Sequence, residues 1–426
     1  MKLDAINRRI LAIAWPAIVS NITAPLLGLV DTAIAGHLGS AAALGAIALG
    51  STVFNLLYWL FGFLRMSTAG ITAQAYGAGD RHAQALSLRR ALAMALAFGV
   101  VIIAISPWLS DGALRFLDAD DSVGPSAALY IEILVWGAPA MLATYSLSGW
   151  LVGMQNTRLP MAIAIMTNVV NISASAVFVF VLGMNIEGIA LGTLTAQWTS
   201  ALTCLVCVWR KYRPLPCPPG QLFKGAGRLM SINADIFLRT LCMGGVTAWF
   251  TRAGASQGVE VLAANALLMQ LFLLFSYFSD GFTNAGEARA GKSFGAGDNA
   301  MTRAVVRALL KWGAAIAVVF AAAYFLCGEW ILGVLTDRAE VVATAGEYLP
   351  WAAAVPLCGI TAFIYDGVFA GITNTRAMLW SVALGMAAFF ATYFTLRAAM
   401  GNHALWMAFL VYLAVRGARL HRAARY

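Results

Sequence analysis

Charge is scarce in this sequence. Of its 426 residues only 11% are Asp, Glu, Lys or Arg, and 61% are hydrophobic. A soluble chain of this size carries about 25% charged residues. The shortage, with a mean hydropathy of +0.78, excludes an ordinary soluble domain and leaves a polytopic membrane protein. Histidine is scarcer still. His37, His82, His403 and His421 are scattered, with no HxxxD companion, so the sequence offers no catalytic cluster of a membrane enzyme, no metal centre and no cofactor site. Six cysteines follow no framework; Cys204 and Cys207 share one face of an apolar run and read as small core residues. The net charge of +9 reads as loop charge facing the cytoplasm, not as a nucleic-acid surface.

Apolar runs are what the chain has in quantity. A membrane span takes about 20 mostly apolar residues. Twelve runs start near Ile10, Ala43, Leu86, Val123, Leu159, Ile186, Arg228, Val261, Ala304, Val341, Ala377 and His403. The twelfth, "HALWMAFLVYLAV", is the shortest. The first, from Ile10 to Gly36, exceeds the roughly 7–15 residues of a signal core and reads as a retained span. Twelve spans put both termini on one side. Of the 28 Lys and Arg, Arg115, Arg252, Arg338 and Arg397 fall in external loops and Arg239 inside a span. The remainder lie in segments on the side of the termini, which predicts cytoplasmic N- and C-termini.

The chain contains itself twice. "YGAGD" at Tyr76–Asp80 returns as "FGAGD" at Phe294–Asp298, and "NTR" at Asn156–Arg158 returns at Asn374–Arg376, both at an offset of 218. The same offset lays spans one to six onto seven to twelve. The predicted fold is an all-α polytopic membrane protein, with twelve transmembrane helices as two parallel six-helix repeats around a central cleft. The lobes are 1–209 and 228–426, joined by a proline-rich cytoplasmic linker at 210–227. The repeated motifs carry structural roles: Gly77 and Gly79 end a helix, Asp80, Asp298 and Thr157 cap the next, and Pro160 fits a first turn.

Where the repeat breaks, function is sought. Asp31 pairs with Trp249, Asn168 with Met386, Asn171 with Phe389, Asp366 with Ser148 and Glu287 with Ala69. Asp31 sits in "PLLGLVDTAIAGHLG". A charged group at mid-bilayer costs about 2.5–3.5 kcal/mol on insertion scales, so an acid there marks a function. Asn168, Asn171 and Ser175 recur at three and four residues on the fifth span and share a face; Thr193 on the sixth span is a fourth candidate. Such polar groups either hydrogen-bond neighbouring helices or line the cavity into which Asp31 points. Pro16 and Pro25 interrupt the first span and can serve as its hinge. Asp235 and Arg239, at i and i+4, read as a local ion pair. Asp280 and Glu287 flank the cytoplasmic end of the eighth span and are either wet or, with Asp366, substrate or gating candidates of the C-terminal lobe. Asp366, in "FIYDGVFAG", is a fold, gating or substrate contact.

"WPAIVSNITAPLLGLVDTAIAGHLG" resembles the first helix of the multidrug and toxic compound extrusion (MATE) transporters, in the branch of the DNA-damage-inducible F protein. "FLRMSTAGITAQAYGAGD", "FSDGFTNAGEARAGKSFGAGD" and "IYDGVFAGITNTR" match that branch too. The resemblance covers nearly the whole chain. It implies a secondary antiporter of the bacterial inner membrane that exports cationic or amphipathic compounds against an inward flow of protons or sodium. It implies that Asp31 carries the coupling cation, with Asn171 and Thr193 beside it and the helix-1 bend at Pro16. Many relatives carry a second aspartate where this chain has Ser175, which favours a proton over sodium at the Asp31 site. The partners expected are the substrate and the bilayer, with no nucleic acid, and the protein as a monomer. A lipid-linked-sugar flippase shares the architecture but requires a cationic cavity, and Arg239 is the one basic residue this reading places deep in a span.

Overall fold

The computed structural model describes residues 2–36, 41–116, 123–215, 219–222 and 226–424. Among these residues the chain forms fourteen α-helices and no strand. That is the solution lipid imposes, since each backbone donor and acceptor must be satisfied within its own segment. The helices are α1 (Lys2–Gly36), α2 (Ala41–Leu60), α3 (Phe63–Gly77), α4 (Arg81–Phe116), α5 (Gly124–Leu134), α6 (Ala138–Gly153) and α7 (Arg158–Ala176). They continue as α8 (Ile186–Tyr212), α9 (Ala226–Ala255), α10 (Val259–Gly295), α11 (Asn299–Leu335), α12 (Ala339–Gly371), α13 (Thr375–Met400) and α14 (Asn402–Ala423).

Fourteen helices make twelve spans because two spans are broken. The second is α2 and α3, parted by a turn at Phe61–Gly62, and the fourth is α5 and α6, joined through a 3-10 turn at Val135–Gly137. The fifth ends in a π turn at Val177–Val181. Among the described residues ten segments are long and apolar enough to cross a membrane by length and composition alone. The twelfth span is longer than its apolar run suggested: α14 has 22 residues.

The 218-residue repeat is written into the backbone. Gly79 and Gly297 have φ of 71° and 72°, Gln155 and Thr373 have 63° and 56°, and Gly183 and Gly401 have 67° and 53°. Each pair is 218 apart. Left-handed conformation is disfavoured for residues with a side chain, so its recurrence at Gln155 and Thr373 marks the same turn built twice. Asp80 Oδ1 accepts from the Ala83 amide at 2.9 Å, and Asp298 Oδ1 from Met301 at 2.8 Å. The cap of α7 differs from expectation. Thr157 occupies the N-cap position without a side-chain cap bond; Asn156 Oδ1 accepts from Leu159 at 3.3 Å, as Asn374 Oδ1 does from Ala377 at 3.4 Å.

Glycines set how closely the helices cross. A Cβ on Gly153 would lie 2.7 Å from the Ala69 carbonyl oxygen, and one on Gly371 would lie 2.6 Å from the Glu287 carbonyl oxygen. α3 therefore meets α6 as α10 meets α12, backbone on backbone. Without a hydrophobic drive between helices in lipid, small residues at the crossing supply the packing.

The chain divides into two compact units, Val19–Ala226 and Met1–Ile18 with Gly227–Tyr426. The linker thus bounds both units, but the first eighteen residues pack with the C-terminal half. A Cβ on Gly281 of α10 would lie 2.8 Å from the Ala14 carbonyl oxygen of α1, and Trp312 Nε1 of α11 donates to Asn7 Oδ1 at 3.2 Å. In the other unit Leu88, Leu147, Trp150, Leu151, Ile163, Cys204 and Val208 form one buried core. Cys204 is a core residue, and neither it nor Cys207 is bonded in a disulfide.

Candidate functional site

In the unit spanning Val19–Ala226, Asp31 is buried at 5% exposure among α5, α7 and α8. Its Oδ2 accepts from Thr193 Oγ1 at 3.3 Å, and Thr193 Oγ1 accepts in turn from Asn171 Nδ2 at 2.9 Å. Threonine can do both because a hydroxyl carries one donor and two acceptor lone pairs. Asn171 and Ser175 sit one turn apart on the inner face of α7 and are fully buried. α8 comes close enough to cover them because Gly192 has no side chain: a Cβ there would lie 2.7 and 2.8 Å from the Ser175 backbone.

Three oxygens here lack a hydrogen-bond partner: Asp31 Oδ1, Asn171 Oδ1 and Ser175 Oγ. A buried carboxylate with an unpartnered oxygen is costly. Two chemistries relieve it. A proton on Asp31 removes the charge and adds a donor among unpartnered acceptors. A monovalent cation would draw on the same oxygens.

Asn168 does something else. Its Nδ2 donates to the Thr23 carbonyl of α1 at 2.8 Å. It holds the helix that carries Asp31, two turns before the acid. Pro16 is buried within α1, at the end of the segment that belongs to the other unit. α1 continues as helix through position 25; the side chain of Pro25 lies outside the described residues, as does His37. Tyr130 was missed by sequence reasoning. It is buried on α5 and near enough to Asp31 to feel its charge. Its mate at the 218 offset is Tyr348, so it looks like packing. Gln197, by contrast, is mated to Val415, so the asymmetry test marks it.

The C-terminal unit corrects three expectations. Arg239 does not pair with Asp235. Arg239 Nη2 and Arg416 Nη2 both donate to Asp366 Oδ2, at 2.5 and 2.7 Å, and all three residues are buried. Asp235 instead accepts from Thr375 Oγ1 at 2.8 Å. A one-turn spacing permits a pair on α9, but a buried guanidinium gains more from a desolvated carboxylate on α12. Nor is Arg239 the one basic group deep in a span: Arg416 of α14 is 3% exposed, beside the Tyr412 ring. The apolar run of its span stops just short of it, at Val415. Glu287 is not wet; it is fully buried where α10 crosses α12. Asp280 is half-buried near Tyr277.

Residues 16–177 and 236–393 match the MatE family model. Over 427 residues the chain is 39% identical to the DNA damage-inducible protein F of Escherichia coli, covering 98% of this chain and 92% of that protein. It is 27% identical to a probable multidrug resistance protein NorM of Deinococcus radiodurans, over 97% of this chain and 94% of that one. Among solved structures it resembles the Vibrio cholerae MATE transporter VcmN in the bent form, with a TM-score of 0.88 at 19% identity over 99% of this chain and 96% of that one.

Proposed function

This chain belongs to the multidrug and toxic compound extrusion family, in the branch of DNA damage-inducible protein F, and from that premise we propose that it exports cationic or amphipathic compounds in exchange for inward-moving protons. Asp31 is the proton carrier. What supports this reading is the Asn171–Thr193–Asp31 chain of hydrogen bonds, which ends on Asp31 Oδ2 and leaves Oδ1 of the same carboxyl group without a partner in a buried niche. Ser175 stands where a second carboxylate would strengthen a sodium site, and Gly192 leaves little room around it.

Ionised Asp31 needs Thr193 and its neighbours; neutral Asp31 does not, and can repack among apolar side chains. Pro16 makes the accompanying bend of α1 cheap, since proline already lacks one backbone hydrogen bond. The bend reshapes the cavity beside Asp31 and releases the bound compound outward. One proton against one monovalent cation moves no net charge, so the pH gradient alone drives it; a second proton would add about 2.3 kcal/mol per 100 mV. The protein acts as an inner-membrane monomer with cytoplasmic termini, without a cofactor. A flippase for a pyrophosphate-linked sugar would need unpaired cationic groups, whereas Arg239 and Arg416 are both engaged by Asp366.

The test is efflux of ethidium from proteoliposomes under an imposed pH gradient, then under a sodium gradient at clamped pH and potential. Export driven by the pH gradient in the wild type, and lost in Asp31→Asn, is expected. Export driven by sodium and indifferent to pH would overturn proton coupling.

A further inference from the structure

The proton niche has a counterpart in the C-terminal unit, and the counterpart is aromatic. Shifting by 218 carries Asp31 to Trp249, Asn171 to Phe389, Ser175 to Tyr393 and Thr193 to Val411. The backbone keeps this register, as the paired turns at Gln155 and Thr373 and at Gly183 and Gly401 demonstrate. Equivalent places in two like folds are thus filled with opposite chemistry. In one, oxygens surround an acid. In the other, the Trp249 ring meets Phe390 at 5.5 Å, Tyr393 at 6.4 Å and Phe394 at 5.6 Å, all edge to face. Tyr393 in turn stacks on Phe389 at 6.4 Å.

Two further observations go beyond packing. These rings already carry cations: the Arg252 guanidinium lies 5.9 Å from the Trp249 centroid and that of Arg397 lies 5.1 Å from the Phe394 centroid. Both arginines are exposed and sit in the last turns of α9 and α13. The buried Trp249 Nε1 also has no hydrogen-bond partner, although indole N–H groups usually find one when buried. Trp249 is only half-buried and Phe394 is 46% exposed, so the niche is open on one side.

We propose that the rings of Trp249, Phe390, Tyr393 and Phe394 form a binding subsite for the flat aromatic cation of an export substrate, a proposal that rests on the export reading above. The edge-to-face arrangement leaves ring faces, where negative charge is concentrated, available to a delocalised cation. An exposed guanidinium keeps most of its hydration and gains little on such a face; a poorly hydrated organic cation gains more. Arg252 and Arg397 are therefore displaceable occupants. The unpartnered Trp249 Nε1 donates to an acceptor on the bound compound. The subsite lies in the unit that does not carry Asp31; it holds the aromatic part of the compound and takes no ligand from the proton carrier.

The experiment measures ethidium binding to the full-length protein in lipid nanodiscs by fluorescence anisotropy, beside ethidium export from proteoliposomes. Trp249→Ala is expected to weaken binding roughly tenfold, and Trp249→Phe to retain most of it. Arg252→Gln with Arg397→Gln is expected to tighten binding a few-fold, and this pair carries the test if Trp249→Ala does not fold. Wild-type protein that exports ethidium, with affinity unchanged in Trp249→Ala or, if that fails to fold, in the double arginine variant, would overturn the subsite alone. Wild-type protein that neither binds nor exports ethidium would overturn the export reading and the subsite together.

Discussion

Replacing Asp366 by asparagine should destabilise this protein more than replacing either arginine that holds it. Asp366, Arg239 and Arg416 are 4%, 7% and 3% exposed, and both guanidinium groups converge on one carboxylate oxygen. Asparagine keeps the shape but removes the charge, which leaves two guanidinium groups in a desolvated site. Removing one partner of a buried ion pair costs about 3–5 kcal/mol. Removing one arginine is milder. Arg239→Met leaves the Arg416–Asp366 pair neutral and forfeits one hydrogen bond to a charged group, about 1.5–3 kcal/mol. Arg416→Met should behave likewise. Thermal unfolding in detergent, followed by thiol-reactive fluorescence, is the assay. Asp366→Asn should lower the midpoint by about 3–6 °C, each arginine variant by less, and Asp366→Leu with Arg239→Met and Arg416→Met should recover most of the loss. Export per folded molecule should survive in Arg239→Met. An Asp366→Asn protein as stable as the wild type would refute the argument that this triad fastens α9, α12 and α14 together.

Asp31→Asn should abolish proton-driven export yet change the unfolding midpoint little, because asparagine keeps the acceptor for Thr193 and that bond is long, at 3.3 Å; normal export by a well-folded variant contradicts its role. Gly192→Ala should part α8 from α7 at Ser175 and stretch the 2.9 Å Asn171–Thr193 bond, costing about 1–3 kcal/mol as overpacking; an unchanged midpoint with unchanged coupling would contradict the geometry. Spin labels at exposed Ile22 of α1 and Val169 of α7 should change separation as pH rises through the titration of Asp31. Distances that ignore pH, or that shift equally in Asp31→Asn, would show that the acid does not control the bend.

The sequence made much of the fold legible because the bilayer restricts the choices. Span starts read from hydropathy fall within about five residues of the helix starts except in the first span, where α1 begins at Lys2, well before Ile10, and the 218 offset found in two short motifs reappears in three pairs of left-handed turns. Asp31, Asn171, Ser175 and Thr193 came together as buried neighbours because an acid in an apolar run has few explanations. The misreadings share a cause. Arg239 and Asp235 are close in sequence, so the eye pairs them; Asp366 lies 127 residues from Arg239, and only tertiary structure sets that distance. Asn168 shares a face with Asn171, yet a face is wide enough to serve two neighbours, and its amide reaches the Thr23 carbonyl instead. Glu287 looked solvated because charges cluster around it in sequence, while the crossing at Gly371 buries it.

The division of α1 bears on whether the halves of this protein can be made as separate polypeptides. A cut in the linker looks natural, since six spans lie on each side. The fragment beginning near Gly227 would lack Met1–Ile18, and with it the surface that covers Gly281 and accepts from Trp312. The other fragment would carry Ile6, Ile10, Ile13 and Ala14, all buried in the intact chain, with their packing partners on another molecule. Two fragments coexpressed from that cut should therefore bind each other through a shared first helix, whereas a cut after Ile18, with the first eighteen residues appended to the C-terminal fragment, should yield two pieces with little reason to associate through that helix.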